Sequence, residues 1–316
     1  MHSTKLRADL LLLLTALIWG FAFVAQRVGM EYVGPYSFNA ARFALGCLPL
    51  IPFVLRNASG SLATHLWRAA PSSMLAGVLL FAGSSLQQVG LVYTTAGKAG
   101  FITGLYVILV PILGLLLRQH SGRNTWIGAL TATLGLYLLS VKPSFSIAYG
   151  DGLVLVSALF WAGHVLTIGR LAHRMDWAAL AFLQFLTCSL LSTGLAFFTE
   201  PIAVQPLLDA ALPIFYGGVL SVGVAYTLQV VAQRQAPVSH AAIILSLETV
   251  FAAFGGWLLL EEQMPFRGLV GCGLMLVGML VSQLGSSKQD GYPGAANPRP
   301  TNIAKHSGGT VGRYGN

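Results

Sequence analysis

Two charged side chains, Arg42 and Glu248, fall inside runs of apolar residues long enough to cross a lipid bilayer, and no other Asp, Glu, Lys or Arg does. An ionised side chain at the centre of a membrane helix costs about 2.5 to 3.5 kcal/mol even on the lenient insertion scale, so it faces a bundle interior, a partner or a water-filled cavity. Arg42 comes six residues after Tyr36 at the start of its run, roughly 9 Å along a helix, and Glu248 comes seven residues after Ala241, about 10 Å along. These depths permit direct contact or a shared cavity. The chemistry on offer is to line a polar solute's path or to work a gate; the plainer reading is a buried ion pair that fixes helix packing.

The other candidates follow from a repeat. Shifted by 142 residues, the chain lies on itself: Asp9 meets Asp151, Trp19 meets Trp161, Phe43 meets Phe185, Leu105 meets Leu247 and Ser140 meets Ser282. Glu248 then falls on Tyr106 and Arg42 on Gln184, which predicts a cavity polar on both sides but charged asymmetrically. Gln87 and Gln229 are a matched pair with Gln26, Gln88 and Gln233 nearby, and amides join helices as readily as they bind a solute. Trp19 and Trp161 lie well inside their runs, away from the headgroup level where belt tryptophans sit, so they fill the core or wall a cavity. His164 has Ala22 as counterpart and is either a proton relay or simply hydrogen-bonded. Lys98 and His240 correspond and are expected at the two interfaces, snorkelling to water. The candidate substrate-binding or gating residues are thus Trp19, Arg42, Gln87, Tyr106, Trp161, His164, Gln184, Gln229 and Glu248, with no catalytic residue, cofactor or metal ligand.

The elements that must position these residues are membrane helices. Apolar residues make up 55% of the chain and charged residues 9%, against roughly 25% charged in a soluble domain. A helix needs roughly 20 apolar residues to span the hydrocarbon, and ten stretches approach or meet that: 10–26, 36–55, 69–93, 99–117, 125–141, 152–169, 177–198, 210–233, 241–260 and 268–287. A transmembrane β-barrel would alternate apolar and polar residues, which runs such as LLLLLTALIWG do not. The expected fold is all-α integral membrane. Five-helix halves at 9–142 and 150–285 follow a cytoplasmic N-terminus (1–8) and precede a Gly-, Pro- and Asn-rich tail (288–316) expected to be disordered and cytoplasmic. Five being odd, the second half must enter the bilayer inverted, which is the inverted-repeat architecture of a secondary transporter.

With the N-terminus inside, ten Lys and Arg lie in inner segments and four in outer loops, so both termini are expected in the cytoplasm. The formal charge of +8 then belongs to a face against anionic lipid, and no basic cluster on a soluble module points to nucleic acid. The first run has its counterpart in the sixth and lacks a clear cleavage site, so it is read as a retained span. Cys47, Cys188 and Cys272 lie apart within apolar runs as small hydrophobes. Pro111 is expected to kink the fourth helix near mid-depth. Gly100 and Gly104 have the spacing for close packing inside one subunit, whereas Gly271 and Gly278 on the tenth helix are the weaker candidate for a homodimer contact.

The segments ALIWGFAFVAQRVG, PYSFNAARFALG, TTAGKAGFITGLYVILVPILGLLL and APVSHAAIILSLETVFAAFGGWLLLEEQ resemble the EamA-type branch of the drug/metabolite transporter superfamily, over residues 9 to 285. The resemblance implies ten helices in two inverted repeats around a central cavity that moves small polar or amphipathic solutes, often outward. Where the family commonly has Glu-Pro in the ninth helix this chain has Glu248-Thr249, so the resemblance carries no proline kink to that position. The function expected is a secondary transporter or facilitator of small metabolites in the cytoplasmic membrane, with a small-molecule substrate and membrane lipid as partners. The alternative is a lipid or lipid-linked-sugar flippase of related fold. A channel would need a ring of charges or a filter-like loop, and an enzyme a motif such as HExxH or GxSxG; neither is present. Nor is there a GxxxxGK[ST] phosphate loop, so no nucleotide is expected.

Overall fold

In the computed structural model the described residues are 2–58, 60–119, 121–140, 149–261, 263 and 266–284. The tail 288–316 and Lys142 fall outside them. Among the described residues every regular element is helical: α1 (His2–Gly29), α2 (Pro35–Asn57), α3 (Leu62–Tyr93), α4 (Ala96–Leu116), α5 (Arg123–Ser140), α6 (Tyr149–Leu171), α7 (Trp177–Thr199), α8 (Ala211–Ala232), α9 (Val238–Leu260) and α10 (Phe266–Leu284), with a short helix Val204–Asp209 before α8. Eight of them, α1 to α4 and α6 to α9, are long and apolar enough to cross a membrane. Helices suit these sequences because in lipid each backbone N–H and C=O must be satisfied within the segment. The helix expected to begin after residue 8 already begins at His2, since STKLRAD holds no Gly or Pro to stop it.

Two spans are broken. α4 divides at Leu105 into α4a (Ala96–Gly104) and α4b (Tyr106–Leu116), and α9 divides at Ser246–Leu247 into α9a (Val238–Leu245) and α9b (Glu248–Leu260). The breaks fall at positions 142 residues apart. Pro111 sits inside α4b, and the break in the span lies six residues before it. Packing accounts for the place: α4a and α9b cross here, with Thr249 Oγ1 donating to Gly100 O at 3.0 Å and a Cβ at Gly104 meeting the same hydroxyl. Ser246 Oγ donates to Ile243 O at 2.8 Å, a back-bond that favours bending. Turn bonds satisfy the interrupted ladders, Leu105 N to Ile102 O at 3.2 Å and Leu247 N to Ile244 O at 3.1 Å.

α8 is wound as a π-helix over Tyr216–Tyr226, a wide winding frequent at functional sites. It is laced to α1: Thr15 Oγ1 donates to Ala225 O at 3.3 Å, Trp19 Nε1 to Ser221 O at 3.2 Å and Tyr216 Oη to Ile18 O at 3.0 Å. α2 and α7 are clamped at both ends. The Glu200 carboxylate accepts from Tyr36 N and Ser37 N at 2.8 Å each, and Asp176 accepts from Ala179 N and Asn57 Nδ2 at 2.9 Å each. α5 and α10 take each other as main partners. Gly128 and Gly135 allow the close approach, since a Cβ there would meet Gly278 O at 2.6 Å and Gly271 O at 2.5 Å. The glycine stripe considered for a homodimer thus faces α5 of the same chain.

Candidate functional site

The broken spans meet the other helices around one buried cavity of about 30 Å³ measured to water centres, room for about two to three waters. Trp19, Arg42, Gln87, Tyr106, Trp161, His164, Gln229 and Glu248 all line it. Gln184 stands behind the wall and holds His164, ring Nε2 to amide Oε1 at 2.8 Å. Tyr106 and Glu248 are the first residues of the half-helices α4b and α9b. A half-helix that starts inside the bundle brings its positive end to the cavity, where a carboxylate is stabilised. The Tyr106 hydroxyl lies beside the Glu248 carboxyl.

Arg42 and Glu248 share the cavity without pairing. Arg42, 2% exposed, donates from Nε to Asn39 Oδ1 at 2.9 Å and lies over the rings of Phe43 and Phe38, 4.8 and 5.7 Å from their centroids. No ion pair joins it to a carboxylate among the described residues. Gly217 makes room for its stem, with 3.3 Å from a Cβ built there to Arg42 Cδ. The cation is therefore fixed by an amide and two π faces, with its outer nitrogens left to the cavity.

The matched glutamines have different work. Gln87 Oε1 accepts from Trp161 Nε1 at 2.9 Å and Thr103 Oγ1 at 3.2 Å, while its Nε2 donates to Gln26 Oε1 at 3.3 Å. It is a strut that aims Trp161. Gln229 has neither amide atom bonded and is wholly buried on the cavity wall. A buried unsatisfied amide costs about 1–3 kcal/mol per group, which a polar solute in the cavity would relieve.

Tyr226, which sequence reasoning missed, is the hub of the aromatic wall. Its ring is stacked on Trp161 at 6.2 Å and 24°, tilted against Trp19 at 4.5 Å and edge-on to His164 at 6.0 Å. Its place three residues before Gln229 on one helix face was the available signal; its repeat counterpart, Ser84, gave none. Ser221 and Thr103 were missed likewise.

Lys98 and His240 do not snorkel alone as expected. His240 is 1% exposed and lies in α9a with Nε2 2.9 Å from Asp9 Oδ1 and Nδ1 3.1 Å from Ser282 Oγ. Lys98 in α4a binds Asp151 of α6. Each side chain is held by a carboxylate, and the carboxylate in each case comes from the other half of the chain. Among the described residues no three His, Cys, Asp or Glu cluster as a metal site would need.

Membrane-length helices packed around a small cavity of mixed polar and aromatic lining define a multi-pass membrane protein. The chain belongs to the EamA-like transporter family, whose sequence profile matches residues 6–141 and again 148–283. It is 34% identical over 284 residues to an uncharacterized transporter of Archaeoglobus fulgidus, covering 89% of this chain and 87% of that protein. It is 27% identical to the inner membrane protein YtfF of Escherichia coli, covering 85% and 92%, and 25% identical to the uncharacterized transporter YoaV of Bacillus subtilis, covering 86% and 95%. One solved crystal structure superposes with a TM-score of 0.72 over 88% of this chain and 96% of the other, at 19% identity. That likeness speaks for the fold alone.

Proposed function

We propose that the protein is a secondary transporter or facilitator of the cytoplasmic membrane, moving small amino-acid-like or amphipathic metabolites outward by alternating access. In this reading all ten helices cross the bilayer, α1–α5 and α6–α10 are two inverted repeats, and both termini are cytoplasmic. The observation that carries it is the small cavity between the halves. It offers a fixed guanidinium, a carboxylate at a half-helix start, an unpaired amide and an aromatic wall, a set that suits a solute with polar ends and an apolar body. Room for a few waters means that the walls must part to admit such a solute, as a carrier's do and an open pore's do not.

The test compares all small metabolites retained by cells with and without the protein. Accumulation of one amino-acid-like solute in the null strain, and its uptake by inside-out vesicles bearing the protein, is the expected result; identical metabolite profiles overturn it. The proposed orientation predicts cytoplasmic activity for a reporter fused at Ser287 and external activity for one near Gln205, and an external signal at Ser287 would defeat the inverted-repeat reading.

A further inference from the structure

The two pairs formed by Lys98 and His240 are one arrangement used twice. Lys98 corresponds to His240 and Asp151 to Asp9 under the same 142-residue shift. In each pair a basic side chain near the start of a broken span reaches a carboxylate near the start of a helix in the other half. Lys98 Nζ donates to Asp151 Oδ2 at 2.5 Å, and Thr94 Oγ1 to Asp151 Oδ1 at 2.9 Å. The second pair is closed in a parallel way by His240, Asp9 and Ser282.

Ser282 Oγ lies 2.7 Å from Met279 O and 3.1 Å from His240 Nδ1, and His240 Nε2 lies 2.9 Å from Asp9 Oδ1, so the imidazole is held at both of its nitrogens. Chain order sets the places: α1 and α9 begin on one side of the bundle, α4 and α6 on the other, because three crossings separate the start of α1 from that of α4. The cavity lies between.

We infer that Lys98–Asp151 and His240–Asp9 are the outer and inner gates of the carrier, latches that bind the halves together on opposite sides of the cavity and open in turn. This rests on the transport reading above and on the halves crossing the membrane in opposite senses. The ends of α2 and α7 are held by Glu200 and by Asp176 on both sides at once, which suits a hinge. The latches each act at one side, which suits gates. Both are closed here, in keeping with a cavity that holds a few waters and no solute-sized space.

The experiment reads access without any cargo. In protein with Cys47, Cys188 and Cys272 changed to alanine, Ser221→Cys puts a thiol on the cavity wall, and a membrane-impermeant maleimide is applied to intact spheroplasts or to inside-out vesicles. With both latches intact, labelling is slow from either face. Lys98→Gln or Asp151→Asn speeds it tenfold or more from the outer face only; Asp9→Asn or His240→Gln does so from the inner face only. The exchange Lys98→Asp with Asp151→Lys, and the single change His240→Lys, return the rate to the slow value, which local unfolding would not allow. Unchanged rates, or access from both faces on breaking one latch, overturn the proposal. Because no solute is needed, that failure leaves the transport reading standing, whereas one-sided access with no transported solute would do the reverse.

Discussion

Arg42→Gln and Glu248→Gln will each lower transport by about thirtyfold or more, at unchanged amounts of protein in the membrane. Losing one charged partner of a buried contact costs about 2 kcal/mol or more, and about 1.4 kcal/mol is a factor of ten. The measurement is flux into inside-out vesicles of whichever solute the null strain accumulates. The exchanged double variant, Arg42→Glu with Glu248→Arg, should stay inactive, because the two do not pair. Asn39 and the faces of Phe38 and Phe43 select a planar cation on α2, and the start of α9b selects an anion. Full flux in both single variants would reduce the charges to packing elements; recovery in the double would mean that they meet directly during the cycle.

The second large effect is on stability. Gly20 of α1 lies against α9b so closely that a Cβ would meet Glu248 O at 2.7 Å and the backbone carbon of Phe251 at 2.8 Å, besides the Phe251 side chain. Backbone cannot swing aside as a side chain can, so Gly20→Ala should cost about 1–3 kcal/mol. At about 2–4 °C per kcal/mol that is a fall of roughly 2–12 °C in Tm in detergent. Gly163→Ala on α6 is the control, since its nearest neighbour would be Leu79 at 3.7 Å, and it should show no fall. Equal losses in the two variants would sink the close-approach account. Since Gly20 presses on Glu248 itself, the same change should weaken transport in whatever protein survives.

How much of this was legible beforehand varies with distance along the chain. The helices were, because apolar runs with almost no charge leave the backbone few other options. Arg42 and Glu248 were, since cost alone marks a charge in such a run, and the repeat then pointed to Tyr106 and the paired tryptophans. Tyr226 was not, for a tyrosine in an apolar helix is unremarkable until the π-winding of α8 turns it between Trp19 and Trp161. The division of labour between Gln87 and Gln229 was equally hidden, because it depends on which amide meets Trp161 and Thr103. The breaks in α4 and α9 come from the crossing at Gly100 and Thr249, a tertiary cause that no local pattern announces. His240 finds Asp9 across 231 residues, a separation at which local pattern says nothing.

The mutual packing of α5 and α10 has a consequence for biogenesis. α5 ends at Ser140 and α10 begins at Phe266, so α5 leaves the ribosome well before its partner exists. At about 5–20 residues per second of synthesis the interval is roughly 6–25 s. Throughout that time the faces of Gly128 and Gly135 have only lipid, or the insertion machinery, to lie against. Completion of the first half therefore cannot be completion of a domain: its last helix gains its main partner only when the last helix of the second half arrives.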